Sequence, residues 1–172
     1  MFVGDECIFG QCGAAQSHLR NQGVGIGDVF LFFGLFADKL GGERHHRIFG
    51  YLVVRDVLPI AGPNPALSDL PRPHPHTLGT WNTNNTVYRG RGAMAEIASD
   101  RLRLTVPGGP LQQWTVPSWL RPQELTFHGK PERWLDDGSL RVVARGQEFV
   151  ASIDERPEPR AWLADTLNAI HT

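Results

Sequence analysis

Lysine is nearly missing from this chain. Of its 17 basic residues only Lys39 and Lys130 are Lys, and the rest are Arg. Arg presents a planar fork suited to bidentate contact with phosphates and base edges, although an Arg-rich, Ala-rich, Gly-rich composition also follows from GC-rich coding. Cysteine is almost as scarce. Cys7 and Cys12 are the only two, too few and too close for the disulfide framework of a small secreted protein. There is no excess of either charge, with a net charge of -1 and a pI near 6.6. That argues against non-specific binding of long duplex DNA, which draws its affinity from a basic surface. No long apolar run occurs either. The longest stretch, Val29 to Ala37, is far too short to cross a bilayer. The first residues lack the basic and apolar regions of a signal peptide. A soluble cytoplasmic protein with no membrane partner is the expectation.

What is present suits a packed core. The chain has 172 residues, of which 41% are hydrophobic, enough for a single domain over 1–172 with no disulfide or metal staple. Residues 13–22 favour a short helix, with Ala15, Leu19 and Gln22 on one face and Gly23 placed to end it. Val29 to Phe36 is apolar on both alternating faces and reads as a buried strand. Arg47 to Val57 reads as a second strand, antiparallel to it across a turn at Gly41-Gly42. Six prolines between 59 and 75 exclude a regular element there. Residues 81–88 read as a turn and a short strand. Leu102 to Val106 and Leu140 to Val150 read as further strands, the latter with a bulge at Gly146. Arg160 to His171 reads as a C-terminal helix, with Leu163, Leu167 and Ile170 at helical spacing. The expected architecture is α+β: a mostly antiparallel, partly closed β-barrel with a helix near each end.

Several groups could carry chemistry. Gln11, Gln16, His18, Asn21 and Gln22 crowd amides and an imidazole beside Gly turns, and amides can bond a base edge in bidentate fashion. Gln16 and His18 cannot share a helix face. Asp28 suits a turn-capping role. Arg145, Gln147 and Glu148 break the alternation of a strand, as an edge bulge or a pocket rim does. Trp81, Tyr88, Trp114 and Trp119 are candidates to stack a base, or are ordinary core. His45, His46, His74, His76 and His128 are possible ligands, but no metal-binding or deaminase signature organises them, so no metal and no cofactor is expected. A Cys12 nucleophile paired with His18 would need a lowered thiol pKa and an orienting partner.

Two resemblances bear on these residues. Gly27-Asp28-Val29-Phe30-Leu31-Phe32-Phe33 followed by Ile48-Phe49-Gly50-Tyr51-Leu52-Val53-Val54 is similar to the central strand pair of the PUA, ASCH and EVE group of small barrels, which implies a pocket for a base, often a modified one. More of the chain, from Phe9-Gly10-Gln11-Cys12-Gly13 to Asp28, resembles the signature of the nucleotide modification associated domain 3 family. Pro73-His74-Pro75-His76, Asn84-Asn85-Thr86-Val87-Tyr88 and Val143 to Val150 carry the likeness onward. The resemblance implies a place in the DNA base modification systems of bacteria and phages, since the family is assigned by genomic association with them. It implies a process, not a reaction. Members usually begin with a Ser-Arg-Lys-Gly-Phe-Asp-like segment, which is expected to be absent before Phe9.

Three readings follow. The chain recognises a base or nucleotide, modified or not, through Gln11, Gln16, His18, Asn21, Gln22, Asp28, Arg145, Gln147 and Glu148. Alternatively it is an enzyme on a nucleotide or DNA base, using His18, Gln16, Arg145 and Glu148. Or it is a structural subunit, the protein partner of a modification complex.

Overall fold

The computed structural model describes residues 1–37, 41–60, 68–81, 83–143 and 148–171. Seven strands and two α-helices occur among them: β1 (Phe2–Val3), β2 (Glu6–Gln11), α1 (Gly13–Asn21), β3 (Val29–Ala37), β4 (Arg44–Pro59), β5 (Thr86–Met94), β6 (Gln113–Thr115), β7 (Ser139–Arg141) and α2 (Pro157–Ile170). Five strands form one antiparallel sheet in the order β1-β2-β5-β4-β3, and β6 pairs with β7. The α+β expectation therefore holds. The barrel does not: closure needs the outermost strands to pair, but here β1 and β3 are the two edges of an open sheet. β1 is only two residues long, too short a seam for closure.

The described chain divides into two compact units. The first comprises Met1–Leu31 and Gly50–Met94. Its central strand, β5, exceeds the short strand expected from the sequence, because Gly90 and Gly92 weaken the strand signal of Tyr88-Arg89-Gly90-Arg91-Gly92. Close approach requires both glycines. A Cβ on Gly90 would lie 1.9 Å from the Val53 carbonyl oxygen, and one on Gly92 would lie 2.3 Å from that of Tyr51. β4 also bulges beside Gly90, where the register shifts between Val54 and Asp56. On one face of this sheet Ile8, Leu58 and Val87 form a small core with Ile60 and Leu70. On the other, Tyr88 packs against Phe9 and Phe30.

Helix α1 ends as expected. Gly23 has φ +75°, its N–H donates to the Arg20 carbonyl, and the Val24 N–H donates to that of Leu19, a Schellman closure. Its buried residues are Gln16 and Leu19, whereas Gln22 is exposed. The amide goes inward because the buried Tyr88 hydroxyl donates to Gln16 Oε1 at 3.1 Å; without it that hydroxyl would face an apolar layer.

The second unit comprises Phe32–Phe49 and Ala95–Thr172. Its core gathers Trp114, Leu140 and Val142 with Phe33, Leu104, Val116, Leu125, Trp134 and Phe149. Two expected strands shrink here. Residues 102–106 make only isolated bridges, Arg47 with Arg103 and Thr105 with Trp114. Among the described residues, the strand expected over 140–150 pairs with β6 at Ser139–Arg141 alone; its bulge at Gly146 lies outside the described residues. Helix α2 starts earlier than expected, since Pro157 suits the first helical turn. It buries Pro159, Thr166, Ala169 and Ile170 and packs Trp162 against Trp119 at 5.7 Å.

Candidate functional site

An open cleft of about 680 Å³ lies in the first unit, lined by Gly13, Ser17, Arg20, Trp81, Thr83 and Asn84. Gly13, Ser17 and Arg20 lie four and three residues apart and form one stripe of α1. Asn84 fixes that stripe. Its Oδ1 accepts from the Gly13 N–H at 2.8 Å, and its Nδ2 donates to the Gly13 carbonyl at 2.6 Å and to Ser17 Oγ at 2.9 Å. The side chain thus serves both main-chain groups of Gly13, as a neighbouring strand would. Arg20 and Thr83 are exposed.

Trp81 is the aromatic wall, 41% exposed. Its indole N–H donates to the carbonyls of Pro75 and Leu78 at 3.1 and 2.7 Å. One ring face is covered by His76, at 4.1 Å between centroids and 11° between planes. The proline-rich approach therefore sets the indole in place.

Behind Trp81 stands a histidine pair. His76 Nδ1 and Asn85 Oδ1 are 2.5 Å apart, while Asn85 Nδ2 donates to the His76 carbonyl. The Asn oxygen can only accept, so the His76 proton sits on Nδ1. His74 is the reverse: its Nδ1 accepts from the His76 N–H at 3.2 Å, which places its proton on Nε2. Both rings press on Gly10, where a Cβ would lie 2.5 Å from His76 Cγ and 2.7 Å from His74 Cε1. Burial, then the neighbouring His76, pushes the His74 imidazole down to about 4.

The residues nominated from the sequence disperse. Gln16 is buried on Tyr88. Gln11 Oε1 accepts from the Cys12 N–H at 3.1 Å. His18 is half-buried on α1, and Asn21 and Gln22 are exposed at its end. Asp28 is exposed and caps its turn, Oδ2 accepting from the Gly25 N–H at 2.7 Å. Glu148 belongs to the second unit, while Arg145 and Gln147 lie outside the described residues. None of the seven described nominees lines the cleft. Of the stacking candidates, Tyr88 and Trp114 are buried and Trp119 packs on Trp162 and beneath Arg156, whereas Trp81 lines the cleft. Ser17, Arg20 and Thr83 were not singled out from the sequence. The i, i+4, i+7 spacing of Gly13, Ser17 and Arg20, flanking the buried Gln16 and Leu19, was the signal for two of them.

Three more histidines, His45, His46 and His128, are tied into the second unit. His45 Nδ1 bonds the Glu43 carbonyl, and its Nε2 accepts from Arg47. His46 Nδ1 lies 3.1 Å from the Leu111 carbonyl. His128 Nδ1 bonds the Thr126 carbonyl, its Nε2 accepts from the Val143 N–H, and burial lowers its pKa. Among the described residues no three of His, Cys, Asp and Glu converge as metal ligands, and no helix is long and apolar enough to cross a membrane.

No curated protein and no solved structure matches the chain. The model of the nucleotide modification associated domain 3 family does match, over residues 1–152. That span includes every residue of the cleft, its histidine backing and Asn84-Asn85. The chain belongs to the nucleotide modification associated domain 3 family.

Proposed function

We propose that the cleft of the first unit binds a base or nucleotide, modified or not, and that recognition is the chain's contribution to nucleotide modification. The observation that carries this reading is the braced indole of Trp81 beside Arg20, Ser17 and Thr83 in one open cleft. Base stacking on an aromatic side chain contributes about 1–3 kcal/mol. Arg20 supplies a fork for a phosphate or base edge, and the two hydroxyls can donate or accept. With a net charge of -1, affinity rests on such local contacts rather than on a field along a duplex.

The test is a fluorescence titration with matched modified and unmodified nucleotides and short oligonucleotides, at low and high salt. Saturable quenching that prefers one modified base and changes little with salt is expected. Trp81→Ala should weaken binding by roughly 10-fold or more, the loss of one stacking contact. If no nucleotide binds, or Trp81→Ala retains full affinity by calorimetry, recognition at this cleft is wrong and the protein-partner role takes its place.

A further inference from the structure

The Trp81 indole can take a base on one side. His76 lies against one ring face at 4.1 Å between centroids, and the indole N–H is taken up by the carbonyls of Pro75 and Leu78. The ring is still 41% exposed and lines the cleft, so its other face is what a ligand meets. A base inside a strand stacks on both neighbours, and it reaches such a platform only by leaving its stack, which costs free energy. A free nucleotide, or the last base of a strand, already has an open face.

The polar groups narrow the ligand further. Among the described residues that line the cleft, Arg20 alone is ionised. The ion pairs among the described residues use Arg47, Arg89, Arg103, Arg156 and Arg160, which leaves Arg20 with none. Asn84 is not available to read a base edge in bidentate fashion, which takes an amide donor and acceptor together. Its two N–H bonds go to the Gly13 carbonyl and Ser17 Oγ, and its oxygen holds the Gly13 N–H. Ser17 Oγ accepts one of these bonds, so its own proton remains to be donated. The cleft therefore offers one fixed cation and two hydroxyls, with no carboxylate to oppose an anion.

We propose that this cleft selects a nucleoside monophosphate, free or standing at the end of a strand, with its base on the open face of Trp81 and its terminal phosphate on Arg20. This rests on the nucleotide-binding reading above and adds which nucleotide is bound: one with a phosphomonoester and one unstacked face, rather than the interior of a strand. The guanidinium fork matches two phosphate oxygens. A phosphomonoester carries nearly two negative charges at neutral pH, against one for the diester inside a strand, so a single cation favours the monoester. Arg20 and Trp81 are then the specificity-determining pair: Trp81 asks for the free face and Arg20 for the terminal phosphate.

The experiment is calorimetric titration of the full chain, as wild type, Arg20→Gln and Trp81→Ala. The probes are the common deoxynucleoside monophosphates, the matching nucleosides, and one short single-stranded oligonucleotide in three forms: with a terminal phosphate, without it, and closed into a covalent circle. Monophosphates should bind roughly 10-fold or more tightly than nucleosides, the weight of one charge-assisted contact. Arg20→Gln should bring monophosphates down to the nucleoside level while nucleoside affinity and thermal melting stay as in wild type. The circle keeps every base and loses both ends, so it should bind roughly 10-fold or more weakly than the phosphorylated linear form. The free monophosphate against the phosphorylated linear form tells which of the two sources the cleft prefers, and tight binding of either supports the proposal. Nucleosides bound as tightly as monophosphates, or a circle bound as tightly as the phosphorylated strand, overturns it. If Trp81→Ala still weakens those probes, the cleft reading survives that failure; if Trp81→Ala changes nothing, both fall. Absence of binding by every probe also overturns this inference, and the titration with modified bases then decides the cleft reading separately.

Discussion

In the second unit His45, His46 and His128 each have Nδ1 within hydrogen-bonding reach of a main-chain carbonyl: Glu43, Leu111 and Thr126. In the first, His76 is set by the side chain of Asn85, and His74 accepts from a main-chain N–H. The surroundings differ as well. His128 meets Phe149 edge-on at 4.6 Å inside an aromatic core, whereas His76 backs a half-exposed indole at a cleft. Main-chain partners make an imidazole part of the scaffold. A side-chain partner makes its tautomer a property of one amide, which substitution can remove. Similar histidine content therefore serves interior structure in one unit and a candidate site in the other.

The largest expected effect breaks the scaffold of the first unit. Gly90→Ala drives a Cβ into the Val53 carbonyl, so β4 and β5 must separate; a loss of about 3 kcal/mol or more is expected in urea unfolding. Gly109→Ala in the second unit meets its nearest neighbour only at 3.1 Å and should cost much less. Equal losses would mean that the tight strand contact is relieved at no cost.

Acid comes next. The folded His74 imidazole is held down to about 4 against an ordinary 6.5. Between those values the unfolded chain binds a proton that the folded chain refuses, so stability falls as pH drops from about 6.5 to about 4, by of order 2 kcal/mol. His128 is lowered too and adds loss in the same direction. His74→Gln should flatten this acid slope relative to wild type; an unaltered slope would assign it elsewhere. Smaller still is Asn84→Ala. It strips partners from Gly13 and Ser17 and should cost about 1–2 kcal/mol, with cleft binding lost out of proportion to stability.

The strongly patterned elements were legible. Val29 to Phe36, Arg47 to Val57 and both helices lie close to where periodicity and Gly23 put them, but β3 is an edge strand with no buried residue, not the buried strand its apolar run implied. β2 went unread because Cys7-Ile8-Phe9 is a short apolar run. β5 was underestimated because its glycines serve a strand contact that only the fold reveals. The barrel failed on pairing between distant strands, which local pattern does not encode. At the site, Trp81 and the Asn84-Asn85 block were singled out, but as separate features. Their convergence on α1 depends on an amide serving the main chain of Gly13, a contact 71 residues apart in sequence.

Strand β2 also governs what oxidation can do to this protein. Cys7 and Cys12 lie at opposite-parity positions on an extended segment, so their side chains leave opposite faces, and five residues at about 3.3 Å each hold their Cα atoms roughly 16 Å apart. A disulfide tolerates less than about 7 Å. While the sheet stands, the two thiols cannot close into an internal ring. Oxidising conditions would instead act at Cys12 alone, through a small thiol or a second chain, and an internal Cys7–Cys12 bridge would record that the strand had come apart.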